Sequence, residues 1–144
     1  MKPKVLLVDD EVDFVKLTEY NLCRQGFEVF TAYNGVEALH QARRILPDVI
    51  LLDLMLPDID GASVCEILRS QPSTASVPVV VVSALDGIVT RGRSAEAGVT
   101  FYFKKPVDMK ALGDRVRQVV EEQQELVKSR LADEKSDPPW NPAL

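Results

Sequence analysis

Apolar residues along the chain follow two alternating rhythms. Near-continuous apolar runs fall at about 4–8, 28–32, 49–53, 78–82 and 100–103. They are short enough for strands, and unbroken as expected when helices cover both faces of a parallel sheet. Between them lie stretches near 11–25, 35–46, 61–71 and 88–97, with a last one from about 108, where apolar positions recur at helical spacing. The first helix carries Val12, Val15, Leu17, Leu22 and Cys23 on its apolar side and ends at Gly26. The second follows Asn34-Gly35, carries Val36, Leu39, Ala42, Ile45 and Leu46, and stops at Pro47. The third opens at Gly61 with Val64, Cys65 and Leu68 inward, and the fourth ends at Gly98. The fifth is long, with a stripe of Leu112, Val116, Val119, Val120, Leu126, Val127 and Leu131 interrupted at Gln123. Gly113 weakens its start by about 1 kcal/mol relative to alanine.

Regular βα alternation predicts a single doubly wound α/β domain with a five-stranded parallel sheet and right-handed crossovers. The flavodoxin-like strand order 2-1-3-4-5 suits five strands and puts the switch point between strands 1 and 3. Residues 1–127 form the expected domain. Residues 128–144 form a helix extension and, from Asp133 through Pro138-Pro139-Trp140-Asn141-Pro142, a disordered tail or linker. Trp140 reads either as an unstructured end residue or as an anchor.

Composition narrows the function. Seventeen Lys+Arg against 22 Asp+Glu give a net charge of −5 over 144 residues, which argues against nucleic-acid contact by this piece. No apolar run approaches the roughly 18 residues of a membrane span, and Met1-Lys2-Pro3-Lys4 leads straight into a strand rather than a secretory signal. The expected location is cytoplasmic. Cys23 and Cys65 form no metal or redox motif and read as small packed hydrophobes; His40 reads as a surface residue.

The strand ends carry the chemistry. They are Asp9-Asp10, Asp53, Ser83 and Lys105-Pro106. In an open parallel sheet these ends share one edge, where ligands bind. Three acids, a hydroxyl and an ammonium together suit a divalent cation and a phosphoryl group. Hard oxygen donors favour Mg2+, with Asp10 and Asp53 as direct ligands and Asp9 acting through water. Asp53 is the candidate nucleophile, because carboxylates form aspartyl phosphates. Loose phosphoryl transfer needs mainly alignment and positive charge, here Mg2+ and Lys105, with Ser83 bonding a phosphoryl oxygen. Taken singly, Asp10 equally reads as a cap of the first helix, Ser83 as a turn residue and Lys105 as a solvated lysine.

The ordered set resembles a receiver domain of a two-component response regulator over roughly residues 3–125. Asp9-Asp10 matches the acidic pair, and Asp53 with Pro57 and Gly61 behind it matches the phosphoacceptor and its loop. Ser83-Ala84 matches the hydroxyl switch, Glu96-Ala97-Gly98 precedes the fifth strand, Tyr102 matches the aromatic switch and Lys105-Pro106 the lysine-proline pair. The resemblance implies a metal ligand in the Met55 backbone carbonyl, a cis Lys105-Pro106 bond, and phosphoryl transfer from the phosphohistidine of a sensor histidine kinase or phosphotransfer protein. It also implies self-phosphorylation from small donors, self-dephosphorylation, and output to a protein target through the fourth-helix, fifth-strand, fifth-helix face. A phosphorylation-dependent homodimer is compatible with it. Thr100-Phe101 stands where many receivers of winged-helix transcription factors carry two acids of a salt-bridged dimer. Phe101 then reads either as an apolar contact or as a ring buried beneath the tail.

The alternatives are an N-terminal receiver fragment of a larger regulator with an effector domain, an aspartyl-phosphate phosphatase, and a flavin carrier. The phosphatase needs a second aspartate where Met55 stands, and Asp9-Asp10-Glu11 would repel a flavin phosphate.

Overall fold

The computed structural model describes residues 1–85 and 98–136. The element order is β1 (Lys4–Val8), α1 (Val12–Arg24), β2 (Glu28–Ala32), α2 (Gly35–Ile45), β3 (Val49–Leu52), α3 (Gly61–Ser70), β4 (Val79–Ser83), β5 (Phe101–Lys104) and α4 (Met109–Ser136), the helix the sequence puts fifth. The expected fourth helix at 88–97, with Glu96-Ala97, lies outside the described residues, as do Trp140 and the rest of 137–144.

All pairings are parallel, and the sheet order is β2-β1-β3-β4-β5, as the sequence predicts. Successive strand residues point to opposite faces and build two cores. Leu6, Val8, Ile50, Leu52, Val79 and Val81 face α2 and α3. Val5, Leu7, Val49, Leu51, Val80 and Val82 face α1 and α4.

The inward helix faces differ in part from expectation. In α1, Val15, Thr18 and Leu22 are buried, whereas Val12, Leu17 and Cys23 are exposed. In α2, Ala38, Ala42 and Ile45 point inward while Val36 and Leu46 face solvent. α3 buries Val64, Cys65 and Leu68 as predicted. The glycine at position 113 has a packing reason. A Cβ there would lie 1.8 Å from Gln25 Oε1, so the bare backbone lets the end of α1 close onto α4, where Gln25 Nε2 donates to the Met109 carbonyl at 3.2 Å.

Thr18 is fully buried, and its Oγ1 has no hydrogen-bond partner among the described residues. A desolvated, unpaired hydroxyl is a net cost, and valine has nearly the same shape. Thr18→Val is therefore expected to raise unfolding stability by about 1 kcal/mol. An unchanged or lowered urea midpoint at constant m-value would contradict this.

α4 packs on the sheet through Leu112, Val116, Val119 and Val120. Gln123 ties the helix to the segment just ahead of β4, donating from Nε2 to the Ser76 carbonyl at 3.0 Å. Beyond it Leu126, Val127 and Leu131 are 54%, 45% and 51% exposed, so the second half of the predicted stripe stays largely open to solvent. Asp133–Ser136, expected in the tail, continue the helix. Asp, Glu, Lys and Ser do not break helices; the first breakers in sequence are Pro138-Pro139. No helix among the described residues is long and apolar enough to cross a membrane.

Candidate functional site

The sheet ladder runs past the strand ends and fixes the site backbone. The Asp9 N–H donates to the Ala32 carbonyl at 3.1 Å, that of Asp53 to Val8 at 3.0 Å and that of Lys105 to Ser83 at 2.8 Å. These residues therefore emerge side by side at one edge. Their side chains meet there. The Ser83 hydroxyl, fully buried, donates to Asp53 Oδ1 at 2.8 Å. The Met55 N–H donates to the same oxygen at 2.9 Å. Lys105 Nζ reaches Asp9 Oδ2 at 2.7 Å and Asp53 Oδ2 at 3.2 Å. Both oxygens of Asp53 are thus oriented, although the residue is only 4% exposed.

Asp9, 1% exposed, is raised above the ordinary carboxylate value chiefly by burial, with Asp53 adding to the shift and Lys105 and the Glu11 N–H opposing it. Repulsion among the acids is therefore the lesser cause. Burial also works against the charge on Lys105, but Asp9 and Asp53 outweigh it and hold the ammonium above the usual lysine range. Asp10 is exposed at the mouth. α1 begins after Glu11 with no side-chain cap, so Asp10 does not serve as the helix cap. Instead, Asp9 Oδ1 accepts the Glu11 N–H at 2.9 Å.

Carboxylate oxygens of Asp9, Asp10 and Asp53 lie within 4.8 Å of one another, close enough to hold one metal ion. All are hard donors, and with Glu11 at the rim the site gathers four carboxylates, three of them paired with the Lys105 ammonium. A small divalent cation would offset that excess negative charge.

The loop after β3 is tied down from two sides. Asp58 Oδ1 and Oδ2 accept the N–H groups of Gly35 and Val36 at 2.7 and 2.9 Å, at the start of α2. Desolvation opposes the charge, yet the donors of Val36, Gly35 and Ile59 hold this carboxyl below its ordinary value. At the other end, the Gly61 N–H donates to the Leu54 carbonyl at 2.9 Å, and Asp60 caps α3 by accepting the Ser63 N–H at 3.1 Å. Sequence reading found Gly61 but had no local signal for Asp58, whose partners lie 22 and 23 residues away.

Tyr102 stands half-buried beside the α2–α3 core, its hydroxyl donating to the Leu85 carbonyl. Phe101 lies on the opposite sheet face. It is half-buried, with the Arg115 guanidinium 4.0 Å from its ring centroid and Phe103 at 5.0 Å, so its cover within the domain is α4. The Lys105-Pro106 bond is cis, as the resemblance implies. His40 is exposed, as the sequence predicts. Glu11 and Phe14, which no motif singled out, both reach Lys105, at 3.2 Å from Glu11 Oε1 and 4.2 Å from the Phe14 ring centroid.

Known proteins resemble this chain in sequence and fold. Residues 5–117 match the family described as response regulator receiver domain. Response regulator PleD of Caulobacter vibrioides is 44% identical over 117 residues, 81% of this chain and 26% of that protein. The alkaline phosphatase synthesis transcriptional regulatory protein PhoP of Bacillus subtilis is 39% identical over 120 residues, 83% of this chain and 49% of that protein. The chain therefore spans about a quarter to a half of these relatives. Among solved structures, a putative response regulator from Chloroflexus aurantiacus superposes with a TM-score of 0.80 at 33% identity, over 84% of this chain and 99% of that one. Since the match takes in all five strands and extends into α4, the chain belongs to the response regulator receiver domain family.

Proposed function

We propose that Asp53 accepts a phosphoryl group from the phosphohistidine of a sensor histidine kinase or a phosphotransfer protein. The P–N bond breaks, the Asp53 oxygen–phosphorus bond forms, and imidazole leaves. The observation that supports this best is the double anchoring of Asp53, by Ser83 and Met55 at Oδ1 and by Lys105 at Oδ2. A nucleophile held this way needs little reorganisation. Mg2+ would be held by Asp10, Asp53 and the Met55 carbonyl, with Asp9 through water, and would neutralise charge on the transferring group. Lys105 supplies further positive charge, and the Ser83 hydroxyl donates to a phosphoryl oxygen. Self-dephosphorylation follows from water reaching the same phosphorus.

Transfer favours whichever conformation contacts the phosphoryl group better. We read Ser83 and Tyr102 as the elements that respond, and the surface of β5 and α4 as the one that meets a downstream protein. Residues 1–127 act as the receiver and 128–144 as a helix extension and a tail or linker, in the cytoplasm. An effector domain elsewhere in the full protein is the companion reading, favoured by the share of PleD and PhoP that this chain covers.

With magnesium and a small acyl-phosphate donor, the intact protein is expected to gain the mass of one phosphoryl group, and a chelator to prevent it. Asp10→Asn should weaken magnesium binding by roughly tenfold or more. Equal affinities in wild type and variant would remove Asp10 from the ligand set. Label that survives the chelator would remove the metal from the reaction.

A further inference from the structure

Lys105 is held by more than the two buried aspartates. Its ammonium has three N–H donors. Asp9 at 2.7 Å, Asp53 at 3.2 Å and Glu11 at 3.2 Å use all three, while the Phe14 ring centroid lies 4.2 Å from Nζ. A cation near an aromatic face is stabilised by the ring quadrupole. We infer that Glu11 and Phe14 are positioning residues that hold the Lys105 ammonium at the rim before phosphorylation, and that Glu11 yields it when Asp53 carries a phosphoryl group. This rests on the reading of Asp53 as acceptor.

The backbone of Glu11 is fixed. Its N–H bonds Asp9 Oδ1 at 2.9 Å and its carbonyl accepts the Val15 N–H at 3.0 Å. Only its side chain, 64% exposed, is free to swing. Phe14 is half-buried against the α1–α4 core, so packing sets its ring position. A phosphoryl group adds negative charge at Asp53 and competes for the ammonium. Unpairing Asp9, which is 1% exposed, would strand a buried charge. Unpairing Glu11 returns a carboxylate to water at little cost. Glu11 is therefore the partner displaced. Until then it draws Lys105 outward, and it repels anionic donors at the mouth.

The test compares wild type, Glu11→Gln and Phe14→Leu by two readouts. One is the time course of phosphorylation by acetyl phosphate with magnesium, followed by intact mass; there acetate leaves as the Asp53 oxygen–phosphorus bond forms. The other is NMR of the unphosphorylated protein, observing the Lys105 ammonium and its ε-methylene. Glu11 makes no side-chain cap bond, so Glu11→Gln should leave α1 intact. It is expected to speed phosphorylation roughly three- to fivefold, the scale of one exposed ion pair, with a weaker salt dependence. The Lys105 ammonium protons should exchange with water faster in Glu11→Gln than in wild type, and Phe14→Leu should abolish the ring-current shift of the ε-methylene. With wild type labelled, an unchanged rate or an unchanged ammonium exchange in Glu11→Gln overturns the inference. A wild type that takes no label overturns the acceptor reading instead, and the ammonium exchange then decides alone whether Glu11 holds Lys105.

Discussion

Asp53→Asn is expected to take up no phosphoryl group under conditions that label the wild type fully. The amide is nearly isosteric, so its oxygen can still accept from Ser83 and the Met55 N–H, which sit 2.8 and 2.9 Å from Oδ1 in the native site. The fold should survive. The loss is chemical. An amide is a far weaker nucleophile than a carboxylate, and its NH2 would face the Lys105 ammonium where Oδ2 now accepts at 3.2 Å. Lys105 keeps Asp9 and Glu11, so it stays in place without its catalytic partner. Intact mass gives the comparison directly. Wild-type levels of label in the variant would move the acceptor to another residue.

Gly61→Ala is expected to be the most damaging small substitution in the described domain. A Cβ at Gly61 would lie 2.4 Å from the Asp53 carbonyl oxygen and 2.6 Å from the Leu54 Cα. Both are backbone atoms at the end of β3, so no side chain can swing aside. Alanine improves helix propensity by about 1 kcal/mol, but forced backbone displacement costs more, for a net loss of roughly 2–3 kcal/mol. In a domain of this size that lowers the melting temperature by roughly 10 °C. The same displacement moves Asp53, so the folded fraction should also phosphorylate more slowly. A melting temperature within a degree or two of wild type would mean that the approach relaxes freely.

Strand order, the gathered acids, Ser83 and Lys105 were legible because parallel strands end on one edge and four of the five apolar runs stop at a reactive residue. The inward faces of α1 and α2 were less legible. α1 has apolar residues at 12, 14, 15 and 17, spread too widely to define one face, and the buried arc includes the polar Thr18. Leu46 looks like core by type, but it ends α2 in a left-handed conformation (φ 49°) and faces solvent. Asp58, and the fit of Gln25 over Gly113, depend on contacts between segments distant in sequence. Glu11 was visible as a third acid, but its reach to Lys105 spans 94 residues and no spacing rule announces it.

α4 sets one further consequence. It leaves β5 at the edge that carries Asp53, runs back along the sheet, and makes its Gln123 contact at Ser76, beside the opposite edge. The turns from Gln123 to Ser136 would then work as a lever arm pivoting near that contact. Those turns measure roughly 20 Å, so a tilt of about 10° in the packed half would carry the tip about 3 Å. Small rearrangements near Lys105 would thus be read out as displacement at a distance, with a sense and size set by the geometry of one helix.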